Sequence, residues 1–83
     1  MEISKNVTWK PLGEKIVAVK VDTGEYYTMN EVASLIWKSI SEGLELEDIV
    51  QQVLSVFDND DTEAIMTDIK AQISEWKQEL LIL

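Results

Sequence analysis

The segment Glu25-Tyr26-Tyr27-Thr28-Met29-Asn30 decides the fold, because a strand and a helix meet within it. Its four central residues suit a pleated, half-buried strand. The preceding Asp22-Thr23-Gly24 is a turn signal, in which Gly24 can take the positive φ of a tight hairpin. Asn30 suits a helix N-cap, and an apolar-periodic run starts at Val32. The segment is therefore predicted to close a hairpin and to start the first helix.

Two strands are predicted upstream of this segment. Val7-Thr8-Trp9 alternates in polarity, and Pro11 is expected to end that strand because proline cannot donate to a ladder. Residues 15–21 form the clearest strand, since valines recur there at every second position. Val17, Val19 and Val21 share one face, and Ile16, Ala18 and Lys20 share the other. With the return strand at 25–29, the sequence predicts an antiparallel sheet of about three short strands.

Three amphipathic helices are predicted after the sheet, from apolar residues that recur every three or four positions. The first ends at or near Gly43, the second spans about residues 47–57, and the third spans about residues 62–79. Their apolar stripes are, in order, Val32, Leu35, Ile36, Trp37 and Ile40; Ile49, Val50, Val53, Leu54 and Phe57; and Ile65, Ile69, Ile73, Trp76 and Leu80. Residues 80–83 are an apolar tail, which is expected to fold back onto the core or to add a short strand.

The polar run Asp58-Asn59-Asp60-Asp61-Thr62 separates the second and third helices. Carboxylates and amides alternate in calcium loops, but this run lacks the glycine and the distal bidentate glutamate at the required spacing. The start of a helix is the better interpretation. Asp60 with Glu63 has the form of a capping box, and Thr62 is a competing cap.

Composition narrows the classes of function. The chain has 83 residues with no cysteine and no histidine, so it lacks disulfides, thiolate metal sites and the commonest general base. Its formal charge of −9 repels a phosphate backbone and suits a basic or neutral peptide; alternatively, the acidity serves only solubility. The sequence has no signal-peptide h-region and no membrane-spanning run. We expect one domain over residues 1–83, in the cytoplasm, with no cofactor and no nucleic-acid or membrane partner.

The order of short strands followed by three helices, with Tyr-Tyr-Thr-Met-Asn at the junction, resembles the PqqD-like family. These are winged-helix peptide-recognition domains of pathways that modify ribosomally made peptides. The resemblance covers about residues 5–83. The features that carry it are Val7-Thr8-Trp9, Thr23-Gly24, residues 26–30, Ala33, Ile36-Trp37, Gly43, Leu46-Glu47-Asp48-Ile49 and Phe57. Within the family, the chain is most similar to the free-standing recognition subunit of lasso-peptide biosynthesis.

The resemblance implies an α+β fold of the winged helix-turn-helix type and a function that is not enzymatic. The leader region of a precursor peptide is expected to add as a strand to the edge of the third strand, in a groove beside the third helix. The domain then delivers it to a separate leader peptidase of the cysteine-protease type, with an ATP-dependent cyclase as a further partner. The residues implied in peptide binding are Tyr26, Tyr27, Thr28, Met29, Ile65, Asp68, Ile69, Gln72 and Trp76.

Other interpretations stay open for several of these residues. Ile65 and Ile69 also fit the core, Asp68 and Gln72 also fit a solvated helix face, and Trp76 fits either environment. In the third strand, Tyr26 and Thr28 share one face and Tyr27 and Met29 share the other, and the sequence leaves open which face points inward.

Three other functions compete with peptide recognition. A winged-helix transcription regulator needs a basic recognition helix, but the third helix carries four acidic residues against two lysines. An enzyme that uses Asp60 and Asp61 lacks a partner base and a bound cofactor. Another kind of protein–protein adaptor is the third alternative.

Overall fold

Three strands and then three helices follow one another in the computed structural model, which describes residues 1–57 and 61–83. The strands are β1 (Val7–Leu12), β2 (Lys15–Lys20) and β3 (Tyr26–Met29). The helices are α1 (Glu31–Ser41), α2 (Leu46–Phe57) and α3 (Thr62–Gln78). This order confirms the predicted α+β class, with a small antiparallel sheet before three helices, and it is compatible with a winged helix-turn-helix.

The sheet has the order β1-β2-β3, so β3 lies at one edge. Its pairing with β2 includes Val17 opposite Thr28 and Val19 opposite Tyr26. Just beyond these pairs, the Lys20 N–H donates to the Glu25 carbonyl at 2.8 Å. Because hydrogen-bonded and non-hydrogen-bonded pairs alternate in an antiparallel ladder, the backbone groups of Tyr26 and Thr28 point away from β2, towards the open edge.

Ser34 joins the sheet to the first turn of α1 and confirms the direction of the hydrogen bonds in β3. Its hydroxyl accepts from the Ile16 N–H at 2.9 Å and donates to the Met29 carbonyl at 3.3 Å. The Met29 carbonyl therefore points towards β2, as the alternation requires. Ser34 is buried, so satisfying both backbone groups with one hydroxyl avoids the cost of an unpaired polar group at this junction.

Pro11 does not end β1, and the prediction that it would is wrong. β1 continues to Leu12, with Pro11 opposite Ile16. At the other end of this pair of strands, the Val21 N–H donates to the Asn6 carbonyl at 2.8 Å. Alternation from that bond turns the nitrogen of Pro11 towards the outer edge of β1, where a missing N–H removes no ladder bond.

Two predicted helix boundaries are confirmed by their capping contacts. The Asn30 side chain accepts from the Ala33 N–H at 2.8 Å, which makes Asn30 the N-cap of α1. Gly43 follows α1 at φ 83°. Its N–H donates to the Ile40 carbonyl at 3.0 Å, and the N–H of Leu44 donates to the Ser39 carbonyl at 3.1 Å. Together these bonds form a Schellman motif with glycine at C′.

The start of α3 differs from the prediction. Asp61 is its N-cap, with the side chain accepting from the Ala64 N–H at 3.0 Å. This cap places Glu63 one position too early for a capping box, so the predicted box and the competing Thr62 cap are both wrong. Asp60 and the rest of the predicted loop at 58–60, including the rejected calcium-loop interpretation, lie outside the described residues.

Leu80 does not extend the apolar stripe of α3 as predicted, because the helix ends before it. Glu79 is the C-cap, and Leu80 lies at C′ with φ 61° and 63% exposure. The N–H of Leu81 donates to the Trp76 carbonyl at 2.8 Å. The resulting turn buries Leu81 and Ile82, and Ile82 pairs with Ile3 in an antiparallel bridge. The prediction that the tail folds back onto the core is confirmed.

The core lies between one face of the sheet and the three helices. In β2, Ile16 and Ala18 point into it, so the valines at 17 and 19 lie on the opposite, outer face. The largest fully buried side chains include Trp37, Ile49 and Ile69, one from each helix. Among the described helices, none has the length and apolar character that a membrane crossing requires.

Candidate functional site

A groove of about 270 Å³ lies between β3 and α3. The α3 side chains that line it recur every three or four positions, which places them on one face of the helix. The segment from the end of the hairpin to α1 provides the opposite wall and the floor. The lining residues are Glu25, Tyr27, Thr28, Met29, Asn30, Ala33, Gln72, Glu75, Trp76 and Glu79.

The groove has an apolar base that is part of the core. Met29 and Trp76 are each 4% exposed, and Ala33, which also lines the groove, is buried as well. The Trp76 ring packs edge-on against Trp37, with ring centroids 5.2 Å apart, and Trp37 packs edge-on against Trp9 at 6.4 Å. Edge-to-face pairs of this kind stabilise a fixed ring orientation. The base of the groove is therefore continuous with the packed aromatic core.

Tyr27 connects the two walls of the groove. Its hydroxyl donates to Oε2 of Glu79 at 3.2 Å, across 52 positions of sequence. Desolvation by burial raises the pKa of the Tyr27 phenol above its ordinary value of 10.0, and the nearby Glu25 and Glu79 carboxylates raise it further. The phenol therefore stays protonated at neutral pH and acts as a hydrogen-bond donor.

The rim of the groove is acidic. Glu25, Glu75 and Glu79 line it, and its lining includes no lysine. Three carboxylates around a partly enclosed space create a local negative potential that favours a cationic group. Within the described parts of the chain, no three His, Cys, Asp or Glu side chains are arranged to hold a metal ion.

The open edge of the sheet borders the same groove. Thr28 is exposed, lines the groove, and presents its backbone N–H and C=O along the free side of β3. Unpaired backbone groups at a sheet edge are a template for another strand. An extended chain at this edge could pair with β3 and place alternate side chains over the base of the groove.

The structure brings together five of the nine residues predicted for peptide binding. Tyr27, Thr28, Met29, Gln72 and Trp76 all line the groove. In β3, Tyr27 and Met29 point towards the core. The sequence left open which face of this strand points inward, and the structure shows that it is the face of Tyr27 and Met29.

The other four predicted residues do not line the groove. Ile65 and Ile69 are buried in the core, at 7% and 0% exposure. Tyr26 is 71% exposed and points to the outer face of the sheet. Asp68 is exposed on the groove-facing side of α3, one turn before Gln72. Peptide contact by these four side chains stays a prediction.

Sequence reasoning did not assign five of the lining residues to the site. Glu75 and Glu79 follow Gln72 at helical spacing, so the predicted wall could have been extended to them. The sequence assigns Asn30 only to capping and Glu25 only to the return strand. Ala33 has no local signal, because its position in the groove depends on how α1 packs against α3.

Comparisons with known proteins agree with this architecture, although no curated protein sequence matches the chain. The structure of TbiB1 in complex with the TbiA(beta) leader peptide is 24% identical and has a TM-score of 0.90. The alignment covers 99% of this chain and 94% of that one. The structure of lasso peptide synthetase B1 complexed with the leader peptide is 21% identical, with a TM-score of 0.88 and coverage of 99% and 95%. The profile of the family described as Coenzyme PQQ synthesis protein D (PqqD) matches residues 15–82, and the chain therefore belongs to the PqqD family.

Proposed function

We propose that residues 1–83 act in the cytoplasm as one recognition domain that binds the leader region of a ribosomally synthesised precursor peptide. The domain then delivers the peptide to a separate leader peptidase of lasso-peptide biosynthesis and has no catalytic function itself. The observation that carries this proposal is the open edge of β3 beside the groove lined by Thr28, Met29 and Trp76. The two structural relatives, each solved with a leader peptide, support it.

The backbone of β3 supplies the first component of binding. Tyr26 and Thr28 each offer one N–H and one C=O to an added strand. β3 has four residues, which span about 14 Å at ~3.4 Å per residue. A paired peptide segment of similar length makes bonds that do not depend on its side chains, so this component sets the orientation of the peptide.

The groove supplies the sequence preference. In an added strand, every second side chain points to the α3 side, above the buried surfaces of Met29 and Trp76. An apolar or aromatic side chain there gains roughly 25 cal/mol for each Å² that it removes from water. Tyr27 stands at the rim with its hydroxyl already held by Glu79.

The carboxylates favour a leader with a basic residue near the groove. Glu25, Glu75 and Glu79 lie around one end of the groove. Asp68 lies on the same side of α3, about 17 Å from Glu79 towards the start of the helix, at ~1.5 Å per residue. The wall of α3 and the edge of β3 therefore run over similar lengths. Positive charge on the leader would also speed its encounter with a protein of formal charge −9.

The proposal assigns cleavage of the leader to a second protein. The chain has neither cysteine nor histidine, so a cysteine-protease pair of nucleophile and base cannot be assembled from its own residues. In the proposed function, the leader peptidase supplies both groups and this domain supplies the bound strand. A cyclase that acts on the released core peptide is a further proposed partner.

Titration of the leader encoded beside this chain's own gene tests the proposal. A fluorescently labelled leader is expected to bind with micromolar or tighter affinity, measured by anisotropy. A scrambled leader of the same composition is the matched control, because it keeps the net charge and changes the order of side chains. Equal affinity for both peptides, or no micromolar binding of the leader, would refute sequence-dependent recognition.

A further inference from the structure

A second cavity lies on the other side of α1 from the groove. It is a cleft of about 630 Å³ between the tip of the β1–β2 hairpin, α1 and the end of α2. Among the described residues, none lines both the cleft and the groove. Ligand sites usually have volumes of about 300–1,000 Å³. The groove, at about 270 Å³, is therefore small for a peptide with several anchoring side chains, whereas the cleft is large enough to hold a further one.

The walls of the cleft are apolar and partly open to solvent. The apolar side chains that form them come from two strands and two helices, and they are Trp9, Pro11, Ile16, Leu35, Val56 and Phe57. Val56 is 58% exposed, and Trp9, Leu35 and Phe57 are only partly buried. A bulky apolar side chain that enters the cleft removes this surface from water, which favours its binding.

The charge of the cleft differs from that of the groove. Two glutamates and two lysines lie around the cleft, so their formal charges cancel, and they are Glu14, Glu31, Lys15 and Lys38. The lining of the groove has three carboxylates and no lysine. The groove therefore favours a basic residue, and the cleft favours an uncharged apolar one.

The cleft and the groove are shaped by the same contacts. Ser34 lines the cleft, and its hydroxyl donates to the carbonyl of Met29, which lines the groove, at 3.3 Å. Trp9 lines the cleft and packs on Trp37, which in turn packs on Trp76 of the groove. The cleft is therefore formed by the folded protein itself, beside the groove.

Only the first turn of α1 separates the two cavities. Asn30 and Ala33 line the groove, whereas the residues that follow each of them, Glu31 and Ser34, line the cleft. Met29 is the last residue of β3, so a peptide that leaves the β3 edge at this end meets the first turn of α1, with the cleft on its far side. A helix with its side chains is about 10–12 Å wide. An extended chain crosses that width in roughly three to four residues, at ~3.4 Å each.

We propose that the cleft is a second subsite for the precursor peptide, which places a bulky, uncharged apolar side chain in it. That side chain lies about four residues beyond the segment paired with β3, at the end of the segment nearest Met29. This inference rests on the proposed function, because the paired segment fixes where the crossing of α1 starts. Two linked contacts bind more tightly than either contact alone, so the cleft raises the affinity that strand pairing provides.

A charge placed in the cleft tests this proposal in the full-length chain. The test variants are Val56→Glu and Val56→Lys, because this exposed side chain lines the cleft. The matched controls are Val21→Glu and Val21→Lys, since Val21 is 61% exposed and lines neither cavity. The probe is the labelled precursor peptide encoded beside this chain's own gene, measured by anisotropy. Both test variants are expected to bind it about tenfold more weakly than their controls, because an apolar subsite excludes charge of either sign.

Shortened precursors identify the segment that enters the cleft. Residues are removed stepwise from each end of the peptide, and one of the two series is expected to lose about tenfold in affinity before strand pairing is lost. Val56→Glu should bind that shortened peptide as well as the wild type does, because the side chain that it excludes is gone. Thr28→Pro, which removes a donor from the edge of β3, should still weaken its binding.

The possible failures of the two proposals are distinguishable. If the Val56 variants bind the full precursor as tightly as the Val21 controls while Thr28→Pro weakens it, the second subsite is overturned and the proposed function stands. Opposite effects of Val56→Glu and Val56→Lys also overturn it, because the cleft would then act through charge. So does a loss in Val56→Glu that persists with every shortened peptide. Absence of precursor binding by the wild type refutes the proposed function itself.

Discussion

Replacing Thr28 with proline tests whether the edge of β3 is where the peptide binds. Thr28 is exposed and lies opposite Val17 in a pair whose backbone groups do not bond to each other. Its N–H therefore points to the open edge. Proline removes this donor, and its fixed φ is compatible with an edge strand.

The two expected effects of Thr28→Pro differ in size. The protein loses no ladder bond, so the free energy of unfolding is expected to fall by roughly 1 kcal/mol or less, the span of strand propensities. The bound peptide loses the donor for one of its carbonyls, which then stays unpaired at a cost of about 1–3 kcal/mol. That cost corresponds to a rise in the leader Kd of about 5- to 150-fold.

Tyr27→Pro is the contrasting variant one position earlier. Tyr27 lies opposite Ala18 in a hydrogen-bonded pair, so proline there removes a ladder donor and leaves the buried Ala18 carbonyl unpaired. We expect roughly 1–3 kcal/mol of lost stability from the backbone alone, which is a large fraction of the total for a domain of this size. Urea unfolding followed by tryptophan fluorescence gives both stabilities, and anisotropy of the labelled leader gives both affinities.

Two results would refute this reasoning. If Thr28→Pro destabilises the fold as much as Tyr27→Pro, the N–H of residue 28 belongs to the ladder and the assigned hydrogen-bond direction is wrong. If Thr28→Pro stays folded and binds the leader with wild-type affinity, the peptide does not pair with this part of β3.

Two further predictions concern the end of α3 and the rim of the groove. Leu80→Gly is expected to raise the free energy of unfolding by about 1 kcal/mol, because residue 80 has φ 61° and glycine adopts this conformation without strain. Thermal unfolding should shift upward by about 5 °C, and a lower midpoint would mean that the Leu80 side chain contributes packing despite its exposure. The pKa of Tyr27 in the folded protein is raised above 10.0, so the folded state favours the neutral phenol. The contribution of the neutral phenol to the free energy of unfolding is therefore fully present below pH 10 and is lost as pH rises through the folded-state pKa. Tyr27→Phe should remove this alkaline loss in urea unfolding at stepped pH, and an unchanged pH dependence would contradict the assignment.

Most of the fold was predictable because its signals are local. The cap at Asn30 and the turn at Gly43 each depend on residues within four positions, so the sequence alone identifies them. The position of Pro11 in β1 depends instead on which edge of the sheet β1 occupies and on the direction of its hydrogen bonds. Neither property is encoded within the segment itself, and the sequence-based prediction therefore ended the strand too early.

The site was only partly predictable for the same reason. The pattern in α3 identifies the residues that share a face, but the boundary between core and groove depends on how closely β3 approaches the helix. Ile69 is fully buried, whereas Gln72, nearly one turn later, lines the groove. Glu25 and Glu79 both line the acidic rim. The hydrogen bond from the Tyr27 hydroxyl to Glu79 is a long-range contact that helical spacing cannot predict.

The two edges of the sheet differ in a way that bears on the proposed function. On the β1 edge, the outward donor of Val7 is used by the Ser4 carbonyl at 3.2 Å, and Pro11 has no N–H to offer. An added strand would therefore find few donors there, which is how proteins protect an edge against pairing. The β3 edge has neither proline nor lysine within its four residues, and it borders a groove with a buried apolar base. Protection of one edge and accessibility of the other, in the same small sheet, support the proposed addition of a strand at β3.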